Sequence, residues 1–99
     1  MIPLYVVVLN SLSIGEKIAQ AVHATAEIFA GYHFGCVAWR RESNTVVVVE
    51  MEAEKLKYLA QCWGSAPFYE PDKNNELTAV AAFETPYNRR LLRRAQLVK

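Results

Sequence analysis

Ninety-nine residues are enough for one hydrophobic core and too few for two that stand alone. A composition 53% hydrophobic and 21% charged excludes a disordered chain, and the longest apolar runs fall far short of the roughly 20 residues that a membrane helix needs. The net charge of +1 carries no global signal for nucleic acid, so any such signal has to be local. The N-terminus lacks a basic stretch followed by a long apolar region and a cleavage site, which makes the cytoplasm the expected compartment. Cys36 and Cys62 lack the paired spacing of a zinc site and read as buried small side chains.

Residues 3–9 form a valine-rich apolar run between Pro3 and Asn10-Ser11, as expected of a central strand covered on both faces. Ser13-Ile14-Gly15-Glu16 matches the S-x-x-E capping box, so a helix is predicted from Ile14 to about Ala30, with Gly31 stopping it. At about 100° per residue, Ile14, Ile18, Val22, Thr25 and Phe29 share one arc and are expected to face the core, while Glu16, Gln20, His23 and Glu27 form an opposite polar stripe. Residues 32–39 mix glycine, aromatics and a cysteine without a period and read as a loop or short irregular element.

A second buried strand is predicted over residues 45–51, after the turn-like Ser43-Asn44. Glu52 and Glu54 open a helix whose Ala53, Leu56, Ala60 and Trp63 are expected to face the core, with Gly64 ending it. Residues 68–70 and 77–83 are strand candidates joined by a polar turn over 72–76. Thr85-Pro86 begins a last helix with Tyr87, Leu91, Ala95 and Val98 as its apolar face. The order β-α-β-α-β-β-α predicts an α/β domain of three layers, with helices on both sides of a small four-stranded mixed sheet.

Two groups of residues carry chemistry. Gly15-Glu16-Lys17-Ile18-Ala19-Gln20-Ala21-Val22-His23-Ala24 follows the first strand directly and is similar to the G-K-x-A-A-Q-x-x-H-A signature of the type II peptidyl-tRNA hydrolases. Gly15, Ala19, Gln20, His23 and Ala24 match in register. Glu16 stands in the family's lysine slot, and Lys17 comes one place late, about 100° further round the helix. The resemblance continues over nearly the whole chain. Glu70-Pro71-Asp72 and Glu76-Leu77-Thr78-Ala79 resemble the E-P-D…E-L-T-A loop of divergent relatives, with Asp72 in place of the family aspartate and Thr78 heading the final strand.

The resemblance implies hydrolysis of the ester between a peptide and the terminal ribose of tRNA, without metal or organic cofactor. Such a reaction needs a positioned water, a proton acceptor and stabilisation of oxyanion charge. Asp72 would orient or deprotonate the water, Gln20 or His23 would bind or relay, and Thr78 would hold the carbonyl or ribose. Glu16 and Lys17 would stand beside the anionic substrate. By themselves His23, Asp72 and Thr78 also read as a solvated helix residue, a turn former and a strand former. His33 and Cys36 have the spacing of half a metal site, and no second pair completes it.

The second group is Arg89, Arg90, Arg93 and Arg94, spread over roughly 140° of the last helix, where they suit either phosphate contacts or a solvated face that complements the helix dipole. Peptidyl-tRNA or another RNA is therefore the expected partner, with a homodimer also open. The alternative function is a catalytically inactive RNA- or protein-binding module on the same fold.

Overall fold

Six successive apolar residues, Leu4–Leu9, are all buried, because strand β1 lies at the centre of the sheet with helices against both its faces. The computed structural model describes residues 2–31 and 33–98, and of His33 and Phe34 the backbone alone. Strand β2 (Val46–Met51) runs parallel to β1, with Val6 opposite Val48 and Val8 opposite Glu50. Strand β4 (Glu76–Phe83) runs antiparallel on the other side of β1, and β3 (Ser65–Glu70) pairs antiparallel with β4. A two-residue strand β5 (Gln96–Leu97) closes the far edge against β2, so the sheet has five strands in the order β3-β4-β1-β2-β5.

Helices α1 (Ile14–Gly31) and α2 (His33–Glu42) cover one face, over a core that includes Val6, Ala24, Ile28, Cys36, Ala79 and Ala81. Helices α3 (Ala53–Gln61) and α4 (Arg89–Arg94) cover the other, where Val7, Met51, Leu56, Leu59, Val80 and Leu92 pack together. This is the expected three-layer α/β architecture, with one strand more than the four expected. The addition comes from the C-terminal residues. α4 stops at Arg94, Ala95 turns extended, and Gln96 and Leu97 pair with Glu50 and Val49 where a longer helix was expected.

Residues 33–42 are helical rather than irregular. The close approach of Gly35 to the Phe83 ring explains the glycine: a Cβ there would meet Cε2 at 3.2 Å. Cys36 is buried and Trp39 packs edge-on against Phe29, an i, i+3 pair that the glycine and aromatics obscure in the sequence.

The apolar arc of α1 is the largest departure. Ile14, Ile18 and Val22 are 54%, 61% and 64% exposed, whereas Gln20, Ala24 and Ile28 face the sheet. The helix lies across β1, β4 and β3 and leaves the same face of β2 open, so Val46 and Val48 are exposed as well. Small residues set this seat. Ala24 meets a sheet surface built from Ala66, Ala79 and Ala81, which lets the helix approach closely with a face that takes in Gln20 of the expected polar stripe. Likewise Trp63 and Tyr87, expected in the core, are exposed, and Leu59 and Leu92 take the buried positions on their helices.

Candidate functional site

The β1–α1 junction carries the capping box that the sequence predicts. Ser13 donates its backbone N–H to Glu16 Oε1 at 3.1 Å, and the Glu16 N–H is donated to Ser13 Oγ at 3.3 Å. The other carboxylate oxygen, Oε2, accepts from Lys73 Nζ at 2.9 Å. Lys73 ends the 3-10 turn Pro71–Lys73 between β3 and β4, so the bridge ties the head of α1 to that turn. The Lys73 ammonium, with help from Ser13, holds the Glu16 carboxyl well below its ordinary 4.5, at about 2, and Glu16 in return raises the Lys73 amine. Glu16 is thus not an unopposed negative charge.

One turn further along α1, Gln20 is buried with its side chain engaged at both ends. Thr78 Oγ1 donates to Gln20 Oε1 at 2.9 Å, and Gln20 Nε2 donates to Glu70 Oε1 at 3.3 Å. A β-bulge makes the first bond. Phe68 pairs with Ala79 and Tyr69 with Leu77, so Thr78 is the extra residue on β4. Strict alternation from Ala79 and Ala81, which face α1, would send Thr78 to the α3 face; the bulge turns it towards α1 instead. Thr78 is completely buried, so it holds Gln20 and does not itself reach a substrate.

His23 is exposed one turn beyond Gln20 and its ring stacks on Phe68 of β3 at 4.4 Å between centroids. Phe68 and Glu70 therefore join the group, although neither was among the expected site residues. Both were legible as alternate positions of a strand, two apart on the face that Ala66 turns to α1. Asp72 is exposed in the 3-10 turn beside Lys73, and makes no hydrogen bond or ion pair among the described residues. Two successive left-handed residues, Asn74 and Asn75, then return the chain to β4, the Asn75 N–H bonding to Glu70 O at 2.9 Å.

Lys17 stands apart from this group. Its ammonium lies 2.7 Å from Glu50 Oε2, with both side chains nearly buried, so it braces α1 against the end of β2. The four arginines also divide. Arg93 sits 3.0 Å and Arg89 3.3 Å from Glu84, and the Arg93 hydrogen bond is the main cause that holds the Glu84 carboxyl down. Arg90 and Arg94 have no ion pair among the described residues and border an open groove on the α3–α4 face. Cys36 is buried and Cys62 half-buried, both as free thiols, while the His33 side chain lies outside the described residues.

Gln20, Thr78 and Glu70 thus form one hydrogen-bonded chain, flanked by Glu16–Lys73 on one side and His23–Phe68 on the other, with the Asp72 carboxylate on the adjoining turn. Such a cluster can offer a cation, a free carboxylate and an imidazole from rigid supports. No family model and no curated protein matches the chain by sequence.

Proposed function

We propose that the chain hydrolyses the ester bond of peptidyl-tRNA, releasing peptide and free tRNA, without metal or organic cofactor. The observation that carries this reading is the buried Thr78–Gln20 bond, which joins the two halves of the sequence resemblance through a bulge. Bulges recur beside active sites because they re-aim one side chain without unravelling the strand.

In this mechanism Asp72 takes a proton from the attacking water, since its carboxylate is exposed and uncommitted. The resulting hydroxide adds to the ester carbonyl, and the tetrahedral intermediate expels the ribose oxygen, which takes up a proton to leave as free tRNA. Lys73 faces the developing oxyanion or the terminal phosphate. The resembled family puts a lysine on the helix; here the helix holds the acid, Glu16, and the turn that carries Asp72 holds the lysine. Thr78 and Glu70 act through Gln20 as positioning residues, and His23 presents one ring edge along the approach.

The test is incubation with peptidyl-tRNA in the presence of a chelator, following the release of free tRNA. The folded wild-type chain is expected to turn over, and Asp72→Asn to lose about 100-fold or more in kcat. Absence of turnover in a folded wild type would sink the reading. One observation favours the non-catalytic alternative: the polar groups of Glu16, Lys17, Gln20 and Thr78 all have partners within the chain. The same assay decides, because a binding module retains tRNA without cleaving it.

This reading places the chain in the cytoplasm, where peptidyl-tRNA arises. Among the described residues no helix is long and apolar enough to cross a membrane. It also includes a homodimer. The exposed ridge Ile14, Ile18 and Val22 stands beside a trough floored by Val46 and Val48, and the trough is lined without a charged residue. A ridge next to a trough on one surface is self-complementary about a two-fold axis, and the absence of charge removes repulsion between identical copies.

A further inference from the structure

A groove lies on the opposite face of the sheet from Gln20 and Thr78, in a space of about 640 Å³ between α3 and α4. It opens at the C-terminal ends of β1 and β2, beside Asn10 and Met51. The helix after β1 crosses one face and the helix after β2 the other, which is the switch point where open α/β sheets receive ligands. Two stripes at i, i+3 and i+7 spacing border the space: Lys55, Tyr58 and Cys62 along α3, and Tyr87, Arg90 and Arg94 leading into and along α4. Trp63, just past α3, extends it through a second, adjoining hollow that shares Tyr58 and Tyr87.

Two physical features coincide here. Lys55, Arg90 and Arg94 have no ion-pair partner among the described residues. Of the two acids on the rim, Glu50 is held by Lys17 at 2.7 Å, which leaves Glu52 against three cations. The aromatics are also open to an unusual degree for their size: Tyr58 is 60% exposed, Tyr87 76% and Trp63 78%. Apolar rings of that size are normally buried, and each is attached to an element whose other side chains do reach the core. Cations along a groove that leads into a hollow walled by open aromatic rings match a backbone of phosphates with unstacked bases. An acidic peptide would use the cations and leave the rings without partners, and a duplex would hide its base faces from them.

We propose that this groove binds single-stranded nucleic acid, with Lys55, Arg90 and Arg94 on phosphates and with Tyr58, Tyr87 and Trp63 stacking on bases. It is a second site, separate from the Gln20 cluster, and it stands whether or not the chain hydrolyses an ester. Arg89 and Arg93, held on Glu84, are outside it.

The experiment is polarisation of a labelled eight-nucleotide single-stranded RNA titrated with the full chain, with tryptophan emission read in parallel. Trp39 donates its ring N–H to Thr45 O and packs on Phe29, so quenching on binding reports Trp63. Binding with quenching is expected. Tyr58→Ala should weaken it about tenfold. Arg90→Gln with Arg94→Gln should reduce the slope of log affinity against log salt by about 1.4, and the same exchanges at Arg89 and Arg93 should leave slope and quenching as in wild type. All these positions are exposed, and far-UV circular dichroism checks that each variant folds. The proposal is overturned if the RNA fails to bind at low salt, or if a duplex of equal length binds as tightly. It is also overturned if Tyr58→Ala and Trp63→Ala are both without effect, or if an acidic peptide binds more tightly than the RNA. A chain that binds the RNA and releases no tRNA from peptidyl-tRNA would keep this inference and defeat the hydrolase reading alone.

Discussion

Glu16 divides its two carboxylate oxygens between Ser13 and Lys73, closing the first turn of α1 and fastening it to the 3-10 turn at once. The Ser13 half was legible in the sequence because a capping box is local. The Lys73 half was not, since it depends on how the β3–β4 turn folds back, and so Glu16 read only as an acid in the family's lysine slot. The pairing has a pH signature. With the folded carboxyl at about 2 and the ordinary value at 4.5, the stabilisation is complete above about pH 4.5 and is lost as the pH falls towards 2. The unfolding midpoint of wild type should therefore exceed that of Glu16→Gln by a steady margin near neutrality, and the margin should shrink below about pH 4.5 and vanish near 2. A margin that does not change with acid would mean that the carboxylate is unpaired. Glu16→Lys, which sets two ammonium groups face to face, should be less stable than Glu16→Gln at neutral pH.

Among the elements, the β3–β4 hairpin places most of the candidate site, and it does so by two irregularities. The bulge turns Thr78 to α1, and the left-handed pair Asn74-Asn75 sets where Lys73 and Asp72 stand. Asparagine tolerates that backbone because its short side chain avoids the clash that a branched Cβ suffers. Asn75→Val is expected to cost about 1 to 2 kcal/mol in chemical denaturation, and Asn75→Gly to be neutral or slightly stabilising. If valine is tolerated without loss, the turn does not hold the left-handed conformation. Asn-Asn in a polar stretch marks a turn from the sequence, but a bulge leaves no mark: Thr78 reads as one more β-former. The same limit explains α1. Periodicity set Phe29 inside and His23 and Glu27 outside as observed, but put Ile14, Ile18 and Val22 in the core and Gln20 in the polar stripe, because a glutamine that meets a buried threonine and glutamate is indistinguishable by hydropathy from one in water.

At the scale of the molecule, three layers and the central position of β1 were evident from apolar runs and helix signals, whereas the coverage of β2 was not. Only one of the two apolar faces of α1 is spent inside the chain. The homodimer proposal follows from the other. Sedimentation should show a concentration-dependent dimer for wild type and a folded monomer for Ile18→Glu, which puts a charge in the middle of the exposed ridge. A wild type that stays monomeric at high concentration would reject the two-fold arrangement and leave the ridge for another partner. The edges of the sheet bear differently on association. β3 carries Pro67, which cannot donate to a further strand. The other edge depends on two residues, since β5 alone lies against β2, with the Val98 N–H reaching Val48 O. Beneath it runs Val46-Val47-Val48-Val49, four β-branched residues without charge or proline. A chain cut after Ala95 would open the Val48-Val49 end of that run as well and lengthen the edge into a template of the kind that seeds cross-β fibrils, so the short last strand is as much a guard against amyloid growth as a part of the fold.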